Sequence, residues 1–177
     1  MRIIAGKHKG RKLFDFDGDK IRPTSDKARE ALFAILYNVN GLSFLDLCCG
    51  TGAIGLEAES RGAIVTMVDN SKESLSLTKK NANQIKSSAE IILCDAIKFL
   101  KNTNKTFDII FTDPPYNLEL GEQIVQTIYE RNLLNKNGVL IYEKDKSADY
   151  SYKNLIKTKE KKYGKNIFGF YGVQTNE

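Results

Sequence analysis

The chain of 177 residues is long enough for one domain with a sizeable core and short for two of ordinary size. Its 41% hydrophobic content excludes a disordered chain, and no apolar run nears the roughly 20 residues that span a bilayer. A net charge of +5 leans toward an anionic partner; three cysteines and a single histidine leave little for a disulfide framework, a metal site or a histidine-activated nucleophile.

The N-terminal stretch MRIIAGKHKGRKL sets Arg2, Lys7, Lys9, Arg11 and Lys12 among glycine and isoleucine. It lacks the apolar stretch and cleavage site of a signal peptide. Two readings are open: an arm whose charge follows a phosphate backbone, or a solvated basic tail. In IRPTSDKAREALFAILYNV, Pro23, Thr24 and Ser25 punctuate a helix start, and Asp26 complements its dipole. Ala28, Leu32, Ile35, Leu36 and Val39 follow at helical spacing.

From Ser43 strands and helices alternate. SFLDLCC reads as a strand, and GTGAIGLEAESRG as a glycine turn opening a helix. AIVTMVD and SKESLSLTKKNANQI, EIILCD and AIKFLK, then FDIIFTD and GEQIVQTIYERNLL continue the alternation up to the strand GVLIYEKD. This rhythm predicts a mostly parallel α/β sheet with helices on both faces. YKNLIKTKEKKYG and NIFGFYGVQ read as two strands turning near Gly164, an antiparallel C-terminal hairpin that brings the sheet to seven strands. The expected division is a basic N-terminal extension over residues 1–24 and a catalytic domain over 25–177.

In such sheets ligands lie outside the carboxyl ends of the strands. The first strand runs into Gly50, Gly52 and Gly55, a G-x-G-x-x-G turn, and the second ends at Asp69, placed to accept from ribose hydroxyls. Asp46, Asp95 and Asp113 stand at or near the ends of three strands, so four carboxylates share one rim. That rim would repel a dinucleotide's pyrophosphate but suits S-adenosylmethionine, which carries a sulfonium and an ammonium and no phosphate. Asp95 is equally placed to meet adenine or to cap the following helix.

FTDPPY closes the fourth strand with two prolines, which donate nothing to a ladder. The Asp113 carboxylate and the Pro114 carbonyl are candidate acceptors for both N–H groups of an exocyclic amine, and Tyr116 offers a stacking face for an extruded base.

These residues resemble the DPPY amino-methyltransferases of the Rossmann-like class I fold. The stretches MRIIAGKHKGRKL, IRPTSDKAREALF, FLDLCCGTGAIGLEAESRGA, FTDPPY and KKYGKNIFGFYG together resemble the RsmD family, bacterial enzymes that methylate a guanine N2 in small-subunit (16S) ribosomal RNA. The resemblance implies that Asp46, Gly50, Gly52, Asp69, Asp95 and Ala96 hold S-adenosylmethionine, and that Asp113, Pro114 and Tyr116 hold the target amine. It implies RNA contacts from Arg2, Lys7, Lys9, Arg11, Arg22 and Thr24, and ribosomal RNA as partner, naked or in an assembling particle. The composition and the reduced cysteines separately point to no metal, no membrane and the cytoplasm, and a monomer is expected. LCCGTG and Glu59 depart from the family's usual residues. An amino-methyltransferase on adenine N6 or a protein amide is the alternative; a nicotinamide oxidoreductase leaves Asp46 and DPPY unexplained.

Overall fold

A computed structural model describes residues 1–16, 24–115, 117–144, 146, 148 and 149–174. In chain order the elements are α1 (Asp26–Leu36), β1 (Ser43–Leu47), α2 (Ala53–Ser60), β2 (Ile64–Asp69), α3 (Lys72–Gln84), β3 (Glu90–Leu93), α4 (Ala96–Asn102), β4 (Phe107–Thr112), α5 (Leu118–Glu130), β5 (Leu134–Lys144), β6 (Leu155–Tyr163) and β7 (Asn166–Val173). The predicted seven-stranded sheet is present, in the order β3-β2-β1-β4-β5-β7-β6. β1 to β5 pair in parallel, and β7 inserts antiparallel between β5 and β6.

Alternation along the strands divides the core. Phe44, Met67, Ile109 and Phe111 pack with α1, α2 and α3, while Leu45, Leu47, Val68 and Ile110 pack with α4 and α5. β1 and β4 are neighbours although β2 and β3 intervene in sequence, so the chain reverses its winding there and leaves a crevice beyond their carboxyl ends.

Ser25 caps α1, its hydroxyl accepting from the Ala28 N–H at 3.2 Å. The helix is shorter than its apolar pattern predicts: Tyr37 takes φ 58° and ends it, and Val39 is buried from the following turn. The basic segment is packed on the domain. Ile3 and Leu13 enter the α1–α2–α3 core. Glu57 on α2, fully buried, accepts the Ile4 and Ala5 N–H groups at 2.7 and 3.0 Å, and Arg29, equally buried, donates to the Arg2 and Thr24 carbonyls.

Candidate active site

The crevice is built from the ends of four parallel strands. After β1 the backbone turns sharply, with positive φ at Cys48, Gly50 and Gly52, before α2 begins. Asp46 lies beneath this turn, and its Oδ2 accepts from the Gly55 N–H at 2.8 Å. Gly55 must be small: an added Cβ would come within 2.7 Å of Met67 and 3.1 Å of the Asp46 carboxylate. β2 delivers Asp69, whose Oδ2 accepts from Gly50 N–H at 2.9 Å and whose Oδ1 accepts from Ser71 N–H at 2.8 Å. One side chain thus ties the glycine turn to the β2–α3 loop. From α3, Thr78 donates to the Gly50 carbonyl and Asn81 to that of Thr51, fixing the turn from its other side.

β3 leads to Asp95, which caps α4 by accepting from the Lys98 N–H at 2.9 Å. β4 delivers Asp113, exposed, and Pro114, buried. Between these loops opens a cavity of about 510 Å³. Its wall contains Asp46, Gly50, Asp69, Asp95, Ala96, Asp113, Pro114 and Pro115. Gly52 is absent from the wall and serves as the N-cap of α2 at φ 76°. Tyr116 and Arg22 lie outside the described residues.

Thr24 also stands in the cavity wall, and its hydroxyl donates to Glu143 Oε2 at 2.6 Å. Arg2 is largely exposed near Asp26. Lys7 and Lys9 belong to a turn against Ser60, at the far end of α2 from the cavity, and Arg11 is exposed on the returning segment. The tip of the basic arm therefore lies away from the cavity, while Met1 touches Thr51 of the wall and Arg2 pairs with Lys12 beside it.

Sequence reasoning passed over Thr51, Asn70, Ser71, Phe111 and Leu120 in the wall, and Glu143 behind it. Thr51, Asn70 and Ser71 lie in strand-to-helix loops beside residues it chose, so taking those loops whole would have found them; Phe111 is next to last in β4 and Leu120 lies in the first turn of α5, either side of the DPPY stretch. Glu143, inside a strand pattern, carries no such local mark.

The wall is acidic, with Asp46 buried at its base and Asp95 and Asp113 exposed at its rim. Burial pushes the Asp46 pKa from 3.8 to about 7; the Gly55 N–H opposes the shift, and the charges of Asp69 and Glu143 add to it. Burial likewise raises Glu143, partly offset by hydrogen bonds from Thr24 and Asn166. The Cys48 thiol is raised to about 12, chiefly by burial, which keeps it protonated and a poor nucleophile.

This sheet order, glycine turn and acidic crevice define a Rossmann-like class I methyltransferase. Within that class the chain belongs to the family described as conserved hypothetical protein 95, the RsmD family, whose model matches residues 1–172. It is 36% identical over 153 residues to ribosomal RNA small subunit methyltransferase D of Haemophilus influenzae, covering 82% of this chain and 79% of that one. The namesake from Buchnera aphidicola subsp. Baizongia pistaciae is 31% identical over 178 residues, covering 97% and 91%. The solved structure of yhhF from Escherichia coli, a candidate methyltransferase, superimposes with a TM-score of 0.87 at 27% identity, covering 99% of both chains.

Proposed function

We propose that the chain transfers a methyl group from S-adenosylmethionine to the exocyclic N2 amine of a guanine in small-subunit ribosomal RNA. The observation that carries this reading is that the Asp113–Pro114 segment and the glycine-turn acids line one cavity. The relatives named for small-subunit ribosomal RNA favour guanine in RNA over adenine or a protein amide.

The donor set fits the cofactor. Asp46 is buried, and the two charged side chains that shift it, Asp69 and Glu143, are both acidic. Such a wall favours a ligand bearing an ammonium and a sulfonium and disfavours a pyrophosphate. Each Asp69 oxygen accepts one backbone N–H, leaving a further lone pair on each for ribose hydroxyls. Asp95 uses Oδ1 for its cap, so Oδ2 remains to accept from the adenine amino group beside Ala96. When bound, the cofactor supplies an electrophilic methyl group on positively charged sulfur.

The chain's own residues prepare the acceptor. The Asp113 carboxylate and the Pro114 carbonyl take the two N–H groups of the amine, drawing its nitrogen toward tetrahedral geometry and aiming the lone pair at the methyl. The prolines hold both acceptors in place beforehand. Positioning of this kind supplies roughly 7–11 kcal/mol without a strong base. Tyr116 is assigned the stacking face for the extruded base. Residues 1–24 form the RNA-contacting segment, with Arg2, Lys7, Lys9, Arg11 and Arg22 toward phosphates and Thr24 at the cavity mouth; residues 25–177 form the catalytic domain. The reaction belongs in the cytoplasm with its ribosomal substrate, and among the described residues no helix is long and apolar enough to cross a membrane.

Methyl-labelled S-adenosylmethionine, small-subunit RNA or particles from cells lacking the enzyme, and nucleoside analysis form the test. The label is expected in N2-methylguanosine. Label in N6-methyladenosine, or none in RNA, overturns the reading.

A further inference from the structure

The tip of the N-terminal arm carries Lys7 and Lys9 away from the cavity, while Arg2, exposed beside Asp26, stays near its mouth. α2 has eight residues, and at 1.5 Å per residue the Lys7–Lys9 turn lies about 12 Å along it from the glycine turn. A second basic element stands on the rim itself. Thr112, the last residue of β4, pairs with Tyr142, which pairs with Gly169, which pairs with Glu160. One step beyond Thr112 is Asp113; the same step along the other strands reaches Glu143, Phe168 and Lys161. The next row contains Lys144, Ile167 and Lys162. Three strand spacings separate β4 from β6, which sets these lysines roughly 14 Å from Asp113 and Pro114. That is the rise of about four stacked nucleotides.

The hairpin is held rigidly. Tyr163 pairs with Asn166, so Gly164 and Lys165 form a two-residue turn, with Gly164 at φ 60° and open space around it. A tight hairpin of this kind requires glycine at that position. The Asn166 amide donates to Glu143, the same carboxylate that accepts from Thr24 in the cavity wall. Tyr163 packs against Phe168, their rings 6.1 Å apart. The turn is thereby tied to the pocket through one buried acid.

Its charge is uncommitted. Glu160 engages Lys157 at 3.1 Å and Lys144 at 3.5 Å. Lys161, Lys162 and Lys165 are exposed and have no ion-pair partner among the described residues. Adjacent strand residues face opposite sides, so Lys161 and Lys162 flank the edge strand while Lys165 stands at its tip.

We propose that Lys161, Lys162 and Lys165 form a second phosphate-contacting element that grips the substrate RNA backbone a few nucleotides from the target base. This rests on the RNA-methyltransferase reading above. The test compares the unaltered enzyme with K161Q/K162Q/K165Q, the corresponding triple arginine variant, and a control, K79Q/K101Q/K136Q, altered at exposed lysines elsewhere. Affinity for small-subunit RNA is measured by fluorescence anisotropy across a salt series, beside melting temperature and cofactor affinity. The glutamine variant is expected to lose about 2–3 from the log–log salt slope and to bind about 100- to 1,000-fold more weakly near 0.1 M salt, converging with the unaltered enzyme near 1 M. The arginine variant should retain binding, and melting temperature and cofactor affinity should not move. An unchanged slope, or an equal loss in the control, overturns the proposal. Absence of RNA binding and methylation by the unaltered enzyme overturns it together with the reading it rests on.

Discussion

Replacing Asp46 with asparagine separates what this acid costs the fold from what it gives the ligand. Asp46 is 1% exposed, and its pKa is raised from 3.8 to about 7, first by burial. A raised acid binds its proton more tightly in the folded than in the unfolded chain. Its contribution to stability is therefore complete below about pH 4 and declines as pH rises through about 7. Three units at 1.36 kcal/mol each make the cost of ionising it about 4 kcal/mol. Asparagine retains an oxygen for the Gly55 N–H and carries no charge to desolvate. In a domain of this size about 4 kcal/mol corresponds to roughly 8–16 °C in melting temperature. Between about pH 3 and pH 8, and chiefly between about pH 4 and pH 7, the ligand-free enzyme should lose that much more than Asp46→Asn does. Cofactor affinity should respond in the opposite sense, strengthening through about pH 7 in the unaltered enzyme and falling in the variant, because a cationic ligand favours the ionised carboxylate. Thermal melts over a pH series, with and without S-adenosylmethionine, and titration calorimetry report both. Parallel melting profiles for the two proteins would refute the charge-burial argument. Equal cofactor affinities would refute the placement of Asp46 near the ligand's cationic end.

Two further expectations concern the mouth of the cavity and the arm. Asp113→Ala should abolish methyl transfer while leaving cofactor affinity within about twofold, since the residue is exposed and assigned to the amine; unchanged turnover in a single-turnover assay would remove it from the mechanism. Glu57→Ala strands the Ile4 and Ala5 N–H groups and breaks the 2.7 Å pair with Arg61. At about 1–3 kcal/mol per stranded group it should lower stability by several kcal/mol and open residues 4–10 to proteolysis. An arm as protected as in the unaltered chain would contradict this.

Much of the fold was legible because local signals agreed. Short apolar runs closed by Asp69, Asp95 and Asp113 marked strand ends, and glycines marked the turn after β1. The rim could then be read in order, since a parallel sheet presents every strand's carboxyl end on one side. Boundaries fared less well: Val39 continues the apolar period of α1, yet the helix has already ended at Tyr37. Long-range polar ties left no periodic trace. Glu143 sits in an ordinary strand pattern, and only the fold brings Thr24, 119 residues away, against it. Glu59, an oddity in the sequence, proves to accept from the Ser87 hydroxyl and from the Ser88 N–H and hydroxyl, bracing the entry to β3. Arg2, Lys7, Lys9 and Arg11 were legible as a basic cluster, but not the direction in which the arm runs, because Glu57 and Ser60 set that from α2.

The docking of the arm also bears on the order of folding during synthesis. Ile4 meets its acceptor 53 residues downstream, and Phe14 exchanges hydrogen bonds with Asn81, 67 residues on. At about 5–20 residues per second a ribosome needs roughly 3–13 s to make that intervening chain. Throughout this interval the arm has no α3 to dock on. The first segment made thus waits for α3 before it settles, and the same Asn81 that receives it also donates to Thr51, so the glycine turn is completed only then.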